Sequence, residues 1–416
     1  MSLNDIARLG LVVLALAFGG GRFAMAGSAS AADEPALRAL AGQLLEVNPQ
    51  VSAARAALDA AEARQRAAGK PLYNPELEFD YEDAGSRTTS LGISQAIDWA
   101  DKRGARADIG ELELESARAG LALARQETLG RFLERLNALQ TARASARLAE
   151  RRVALLGEFQ ALAERRFAAG DVGQSDLDLA RLALSQARME AAGRAADAAD
   201  AEAGLRALVV DPPAAWPELP ALPAPSSAAA DEKLLEQHPG LKGMRLRALA
   251  LRNGVTLAQR ERRPDPTIGL RGGKEDDDAL VGLNLSIPLF VRNDFRAEVD
   301  AAQAEALREE QAYRNAWLQG RARLMAAAER YRLMHAALTD WRNVGQKALS
   351  GRAELLKRLW EAGEIGTTEY LVQLEQTLDT QFSAVELLGR TWAAWIAWLD
   401  AAGQTERWLG TAPEQH

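Results

Sequence analysis

Two halves of this chain carry the same string of features about 190 residues apart, which restricts the fold to architectures built from two copies of one unit. Asn48-Pro49 answers to His238-Pro239, Asn74-Pro75 to Asp265-Pro266, and Leu91-Gly92-Ile93 to Val281-Gly282-Leu283. The longest match comes later. Phe167-Ala168-Ala169-Gly170-Asp171-Val172-Gly173 corresponds to Trp360-Glu361-Ala362-Gly363-Glu364-Ile365-Gly366, with an acid, a β-branched residue and two glycines in the same places. Between the halves, Pro212, Pro213, Pro217, Pro220, Pro223 and Pro225 make 211–230 too proline-rich for a helix or a central strand. The chain therefore divides into a leader (1–31), a first repeat (32–210), an extended linker (211–230), a second repeat (231–402) and a tail (403–416). Each repeat has the order helix, two strands, very long helix, glycine turn, helix. A pair of tandem helical domains would leave the strands unexplained.

Those strands show the period-2 pattern of a sheet with one apolar side. In 75–83, Leu77, Phe79 and Tyr81 alternate with Glu76, Glu78, Asp80 and Glu82, and in 89–97 Leu91, Ile93 and Ile97 alternate with Gly92, Ser94 and Ala96. In 280–287, Val281, Leu283, Leu285 and Ile287 alternate with Gly282, Asn284 and Ser286, while 266–272 puts Ile268 and Leu270 opposite Gly269 and Arg271. Each run is near the ~9 to 11 residues that a tilted strand needs to cross a bilayer. Four strands cannot close a barrel, and open edges in lipid cost several kcal/mol per group, so oligomerisation is the physical way out.

The segment 100–169 has no proline and few glycines, and a continuous helix there would run roughly 100 Å at ~1.5 Å per residue. Apolar positions recur at coiled-coil spacing in Leu129, Phe132, Leu136 and Leu139 and again in Leu155, Phe159 and Leu162. A second such helix is expected from about 294 to 360. Glycines let the helices reverse at 170–173 and 363–366, and positive φ is expected through these turns, Gly173 and Gly366 included.

Arg8 precedes the apolar run 9–18, and Ala24-Met25-Ala26 and Ala29-Ser30-Ala31 follow, the order of a secretory signal peptide cleaved after Ala26 or Ala31. The run is too short to span a bilayer as helix, which takes ~20 residues. With 50 basic residues interspersed among 58 acidic ones, nothing resembles a nucleic-acid footprint. There is no cysteine, hence no disulfide, thiolate metal site or cysteine nucleophile.

The repeat, strand pairs and glycine turns together resemble the TolC family of outer-membrane efflux proteins over roughly residues 34–402. Ile93-Ser94-Gln95-Ala96-Ile97-Asp98-Trp99 with Lys102-Arg103-Gly104-Ala105-Arg106, and Ser286-Ile287-Pro288-Leu289-Phe290 with Arg292-Asn293, are most similar to its CzcC-like heavy-metal efflux branch. The resemblance implies a mainly α protein with a membrane β-barrel. Three internally duplicated protomers would form a twelve-stranded outer-membrane barrel continued by a long periplasmic α-helical barrel. It also implies partners, a periplasmic adaptor (membrane fusion protein) and an inner-membrane RND-type pump, with outer-membrane lipid around the barrel. Gly170, Asp171, Val172, Gly173, Gly363, Glu364, Ile365 and Gly366 would meet the adaptor at the tip. Two acid rings narrow the family's aperture; here Glu375 matches one, Val372 stands at the other, and nearby Glu369 is a substitute. Glu76, Glu78, Asp80 and Glu82 would face water inside the barrel, making a lumen that favours cations, with Arg271 on the same side as a partial counter-charge.

No catalytic constellation emerges, so the chain reads as a passive duct with no cofactor and no resident metal. Only His238, His335 and His416 exist, too few for a histidine cage or a Ser-His-Asp arrangement within one chain. Gly269-x-x-Gly272-Gly273-Lys274 lacks the spacing and hydroxyl of a phosphate loop. Met334-His335 and the i, i+3, i+6 set Trp392, Trp395 and Trp398 read as helix packing, and Asp276-Asp277-Asp278 as an acidic hairpin loop. Two other classes fit part of the sequence: a drug-efflux or type I secretion duct, and a periplasmic structural coiled coil.

Overall fold

The computed structural model describes residues 33–226 and 228–412. The leader expected at 1–31 and the last four residues of the tail lie outside the described residues. Helices α1 (Asp33–Val47) and α2 (Pro49–Ala68) lead into strands β1 (Glu76–Asp83) and β2 (Arg87–Ala96), followed by α3 (Lys102–Ala169) and α4 (Gln174–Arg206). After the linker come α5 (Lys233–Gln237), α6 (Pro239–Glu261), β3 (Thr267–Glu275), β4 (Asp278–Ser286) and α7 (Arg296–Asp340). The second half ends in α8 (Gln346–Leu349), α9 (Arg352–Glu361), α10 (Thr367–Ala402) and α11 (Thr405–Leu409).

Local chemistry sets these boundaries. Asn48 Oδ1 accepts from the amides of Gln50 (2.9 Å) and Val51 (3.3 Å), and Pro49 occupies the first turn of α2, where no amide hydrogen is needed. At the equivalent place in the second repeat Pro239 opens α6, but the His238 ring turns away, its Nε2 lying 3.2 Å from the Asp400 carbonyl oxygen. Asp98 takes the amides of Lys102 and Arg103, both at 2.8 Å, and so starts α3.

Helix α3 is continuous over 68 residues, about 100 Å. The second long helix departs from expectation. It stops at Asp340, passes through a π-helical turn at Trp341–Gly345, and breaks at Ser350-Gly351, where Gly351 has φ +77°. Trp341 folds its ring over Gly345, leaving no room for a Cβ there. In the register of the tip turns, Gly345 and Gly351 stand where α3 has Arg152 and Glu158, so the helical continuity of the first repeat is lost in the second.

One apolar core joins Leu40 and Leu44 of α1 to Leu129, Phe132, Leu133 and Leu136 of α3 and to Trp392 and Ile396 of α10. The proline-rich linker is strapped across it. Gln140 Nε2 donates to the Pro217 carbonyl (2.9 Å), Trp398 Nε1 to the Ala229 carbonyl (2.7 Å), and the Tyr331 hydroxyl to the Pro223 carbonyl. A second core at the far end of the helices gathers Leu156, Phe159, Leu177, Leu184, Trp360 and Leu374. Burying each such side chain stabilises the fold by about 1.5–3 kcal/mol.

The four strands form one antiparallel sheet in the order β1-β2-β3-β4. Both hairpin loops sit at one end. All four strand-to-helix junctions, 69–75, 97–101, 262–266 and 287–295, therefore lie at the other.

Candidate functional site

The sheet register sorts the side chains into two faces. One cross-strand row is Leu77, Ile93, Leu270 and Leu283, and the next outward-facing row is Phe79, Leu91, Gly272 and Val281. These apolar side chains are exposed in the protomer, Leu77 by 75% and Val281 by 80%. The other face carries Glu76–Ser94–Gly269–Asn284, Glu78–Gly92–Arg271–Gly282 and Asp80–Ser90–Gly273–Leu280.

Crowding marks this polar face as the concave side of the sheet. Ser90 and Ser94 are buried, their hydroxyls donating to Asp80 Oδ2 and Glu78 Oε1, each at 3.2 Å. A Cβ on Gly273 would collide with the backbone of Thr89, and one on Gly269 would meet Ser94 Cβ at 3.2 Å. Small residues thus let the sheet curl toward its acidic side. Arg271 shares the row of Glu78 but stands two strands away, about 10 Å by strand spacing, and makes no ion pair among the described residues. Strands of 8 to 10 residues reach about 26–34 Å, enough for the ~25 Å apolar band of a membrane barrel. Among the described residues, strands β1 and β4 each pair on one side only, leaving an open backbone edge at both ends of the sheet.

At the opposite end of the helices, the two tip turns are built alike. Gly170 (φ +85°) ends α3 and Gly363 (φ +75°) follows α9, both in the left-handed region. Each is followed by a bond spanning the reversal: the Asp171 amide donates to the Arg166 carbonyl (2.8 Å) and the Glu364 amide to the Leu359 carbonyl (2.9 Å). Gly173 (φ −81°, ψ 166°) and Gly366 (φ −78°, ψ 164°) correct the sequence expectation. They are extended residues capping α4 and α10, because the next helix must start from β geometry, and any residue can adopt it. Asp171 and Glu364 are exposed, whereas Val172 and Ile365 are half-buried.

Arg166 ties the two turns together. Its guanidinium donates to the carbonyls of Trp360 (2.9 Å) and Glu361 (3.3 Å) and lies 5.0 Å from the centre of the Trp360 ring. Beneath it Phe159, Trp360 and Tyr370 cluster with ring centres 4.6–5.5 Å apart. Burial, aided by Glu158, Glu361 and Glu354, pushes the Tyr370 phenol up to about 12.

Helix α10 leaves Glu369, Val372, Gln376 and Asp379 on one exposed stripe, at i, i+3, i+7 and i+10. Glu375 is turned aside, 3.6 Å from Arg152 of α3. Arg152 is buried and also meets Glu190 of α4 (3.0 Å) and Asp379 (3.5 Å), so one cation holds carboxylates from two neighbouring helices. Asp379 was legible, one heptad beyond Val372. Nothing in the sequence marks Arg152 out among the arginines of α3.

A third constellation lies where strands become helices. Lys102 and Asp265, both nearly fully buried, pair at 2.9 Å, Lys102 also donates to the Arg263 carbonyl (2.7 Å), and the Tyr73 hydroxyl donates to Asp265 at 2.6 Å. His335 lies edge-on to Tyr331, and Trp395 stacks on Trp398 at 4.7 Å, which are packing contacts. In the outer hairpin loop, Asp276 Oδ1 accepts from the Arg87 amide at 2.9 Å. Among the described residues no three His, Asp or Glu side chains converge on a metal-sized site.

The comparisons agree with this geometry. Residues 40–209 match the family described as Outer membrane efflux protein. The chain is similar to the cobalt-zinc-cadmium resistance protein CzcC of Cupriavidus metallidurans, 29% identical over 289 residues, which is 67% of this chain and 68% of that one. The fold is similar to the outer membrane protein VceC of Vibrio cholerae, with TM-score 0.72 and 18% identity, over 89% of this chain and 96% of that one. It is also similar to the MtrE outer membrane channel of Neisseria gonorrhoeae in its open state, with TM-score 0.70 and 16% identity, over 89% of both chains.

Proposed function

We propose that this chain is a member of the outer membrane efflux protein family, whose model its residues 40–209 match, and that three copies join their sheets edge to edge into one twelve-stranded barrel that carries heavy-metal cations out of the cell. It is an outer-membrane efflux channel, mainly helical, reaching into the periplasm. The observation that carries the finer reading is the register of the sheet. It keeps Glu76, Glu78, Asp80 and Glu82 on the concave face and the exposed leucines on the convex one. With the convex face in lipid, the acids line the lumen and repeat threefold, focusing a negative potential that draws cations in.

Likeness to a cobalt-zinc-cadmium resistance protein supports divalent metal cations over drugs or secreted proteins as cargo. The duct itself is passive. A periplasmic adaptor meets the tip at Gly170 to Gly173 and Gly363 to Gly366, and an inner-membrane RND-type pump supplies the energy. The stripe of Glu369 and Val372, with Glu375 beside it on Arg152, lines the aperture.

Planar-bilayer conductance in a salt gradient tests the lumen. Cation selectivity is expected in the wild type, falling when Glu76, Glu78, Asp80 and Glu82 become glutamine or asparagine and shrinking as salt rises. Anion selectivity in the wild type would overturn the reading. For the cargo, loss of the chain should lower cellular tolerance to cobalt, zinc or cadmium and leave drug tolerance unchanged; the reverse pattern would assign it to drug efflux.

A further inference from the structure

The sheet is electrically polarised along its strands. At the hairpin end, 82–87 and 274–278 hold six carboxylates against two cations. At the helix end, 66–75, 97–106, 260–266 and 287–298 hold ten cations against six carboxylates, in a chain whose net charge is −8. Four of those carboxylates are used in ion pairs within the collar: Asp265 with Lys102, Glu261 with Arg106, Asp101 with Arg260, and Asp294 with Arg296. The other two, Asp98 and Glu298, accept from the amides of Lys102 and Arg103 and from Asn293. Arg66, Lys70, Arg103, Arg262, Arg263 and Arg292 are left exposed and without an ion pair among the described residues.

A second observation is independent of charge. The apolar alternation of the convex face runs past the strands into this collar: Leu91 and Ile93 continue to Ile97 and Trp99, and Leu283 and Leu285 to Ile287, Leu289 and Val291. All are exposed, Trp99 by 64%, Leu289 by 78% and Val291 by 85%. Arg103 follows Trp99 by four residues and Arg292 follows Val291 directly. Large apolar groups interleaved with uncompensated guanidinium groups suit the boundary between acyl chains and anionic headgroups, where aromatic rings anchor and cations meet phosphate.

We propose that this collar binds the anionic phospholipid headgroups of the inner leaflet of the outer membrane, the six unpaired cations meeting phosphates while Trp99, Leu289 and Val291 enter the acyl layer. The proposal rests on the reading of the sheet as a membrane barrel wall. Its consequence is a ring of retained anionic lipid that fixes the height of the barrel in the bilayer.

Trp99 supplies the test, because the other eight tryptophans lie at 216 and beyond, in the linker and the helical body. The purified full-length protein is reconstituted in phosphatidylcholine vesicles with about a tenth of the lipid as phosphatidylglycerol, bromines being carried on the acyl chains of one lipid or the other. The Trp99→Phe signal is subtracted. Quenching by brominated phosphatidylglycerol should show at least about fivefold enrichment around Trp99 over its bulk fraction, the yield of one basic contact at an anionic surface. Enrichment should vanish in Arg262→Gln/Arg263→Gln/Arg292→Gln and persist in the matching triple lysine variant. Bulk-level quenching in the wild type, or unchanged enrichment in the glutamine variant, overturns the collar and leaves the barrel standing. If brominated phosphatidylcholine also fails to quench Trp99, the barrel reading falls with it.

Discussion

Replacing Gly170 and Gly363 by alanine should loosen the periplasmic tip, and replacing Gly173 and Gly366 should not. The first pair has φ of +85° and +75°, where an L side chain brings Cβ against the following carbonyl at a cost of about 1–2 kcal/mol per site. Both sites are open in space, with nothing within 4 Å of an added Cβ, so backbone strain is the whole effect. The second pair is extended; a Cβ on Gly366 meets nothing within 4 Å, and one on Gly173 meets only Asp176 Oδ2 at 3.7 Å. Alanine there restricts the unfolded chain and is neutral or slightly stabilising.

The cost falls on a local reversal, so the assay must be local. Hydrogen exchange of detergent-solubilised protein, followed by peptide mass spectrometry, reads the opening of 160–180 and 355–370. A penalty of about 1–2 kcal/mol corresponds to exchange about 5 to 30 times faster in the Gly170→Ala/Gly363→Ala variant, with the sheet peptides unchanged. Export should fall in the same variant. Equal exchange in the two double variants, or faster exchange in Gly173→Ala/Gly366→Ala, would refute the argument from tip geometry.

Two further perturbations follow from the buried cations. Arg152→Met removes the cation shared by Glu190, Glu375 and Asp379; because those acids are partly solvated, the loss is about 1–2 kcal/mol, and single-channel conductance should rise as α10 is released, whereas unchanged conductance and stability would exclude a restraining role. Lys102→Met leaves Asp265 buried without its cation, with only the Tyr73 hydroxyl still donating, so denaturant stability should drop by about 3–5 kcal/mol; a loss under about 1 kcal/mol would show that the pair contributes little at the strand-to-helix junction.

Much of this architecture was legible because it rests on periodicity and repetition. The alternation of Leu77, Phe79 and Tyr81 with acids, and of Val281, Leu283 and Leu285 with small polar residues, marked both the strands and their lipid-compatible side. The break in the second long helix was not read, although Gly345 and Gly351 stood in the sequence, because a glycine inside a helical pattern costs only about 1 kcal/mol and is often tolerated. Here Trp341 lying over Gly345 turns that tolerance into a π turn. The four turn glycines were all read as positive-φ positions, since a Gly-x-x-Gly spacing does not reveal which glycine ends one helix and which begins the next. Side-chain partnerships across the repeat were beyond reach. Lys102 meets Asp265 over 163 positions, and Arg152 meets Asp379 over 227, distances at which only the fold brings charges together.

The central claim is that the open edges of β1 and β4 are joined between copies, and the absence of native cysteine makes this directly measurable. Phe79→Cys on β1 is combined in turn with Val281→Cys, Leu283→Cys and Leu285→Cys on β4, all on the convex face, and the protein is oxidised in native outer membranes. One register should yield covalent trimers that collapse to monomer on reduction, since neighbouring strands bring facing Cβ atoms to about 4.5–5.5 Å. Monomer alone at every register, or a disulfide closing within a single chain, would contradict the account.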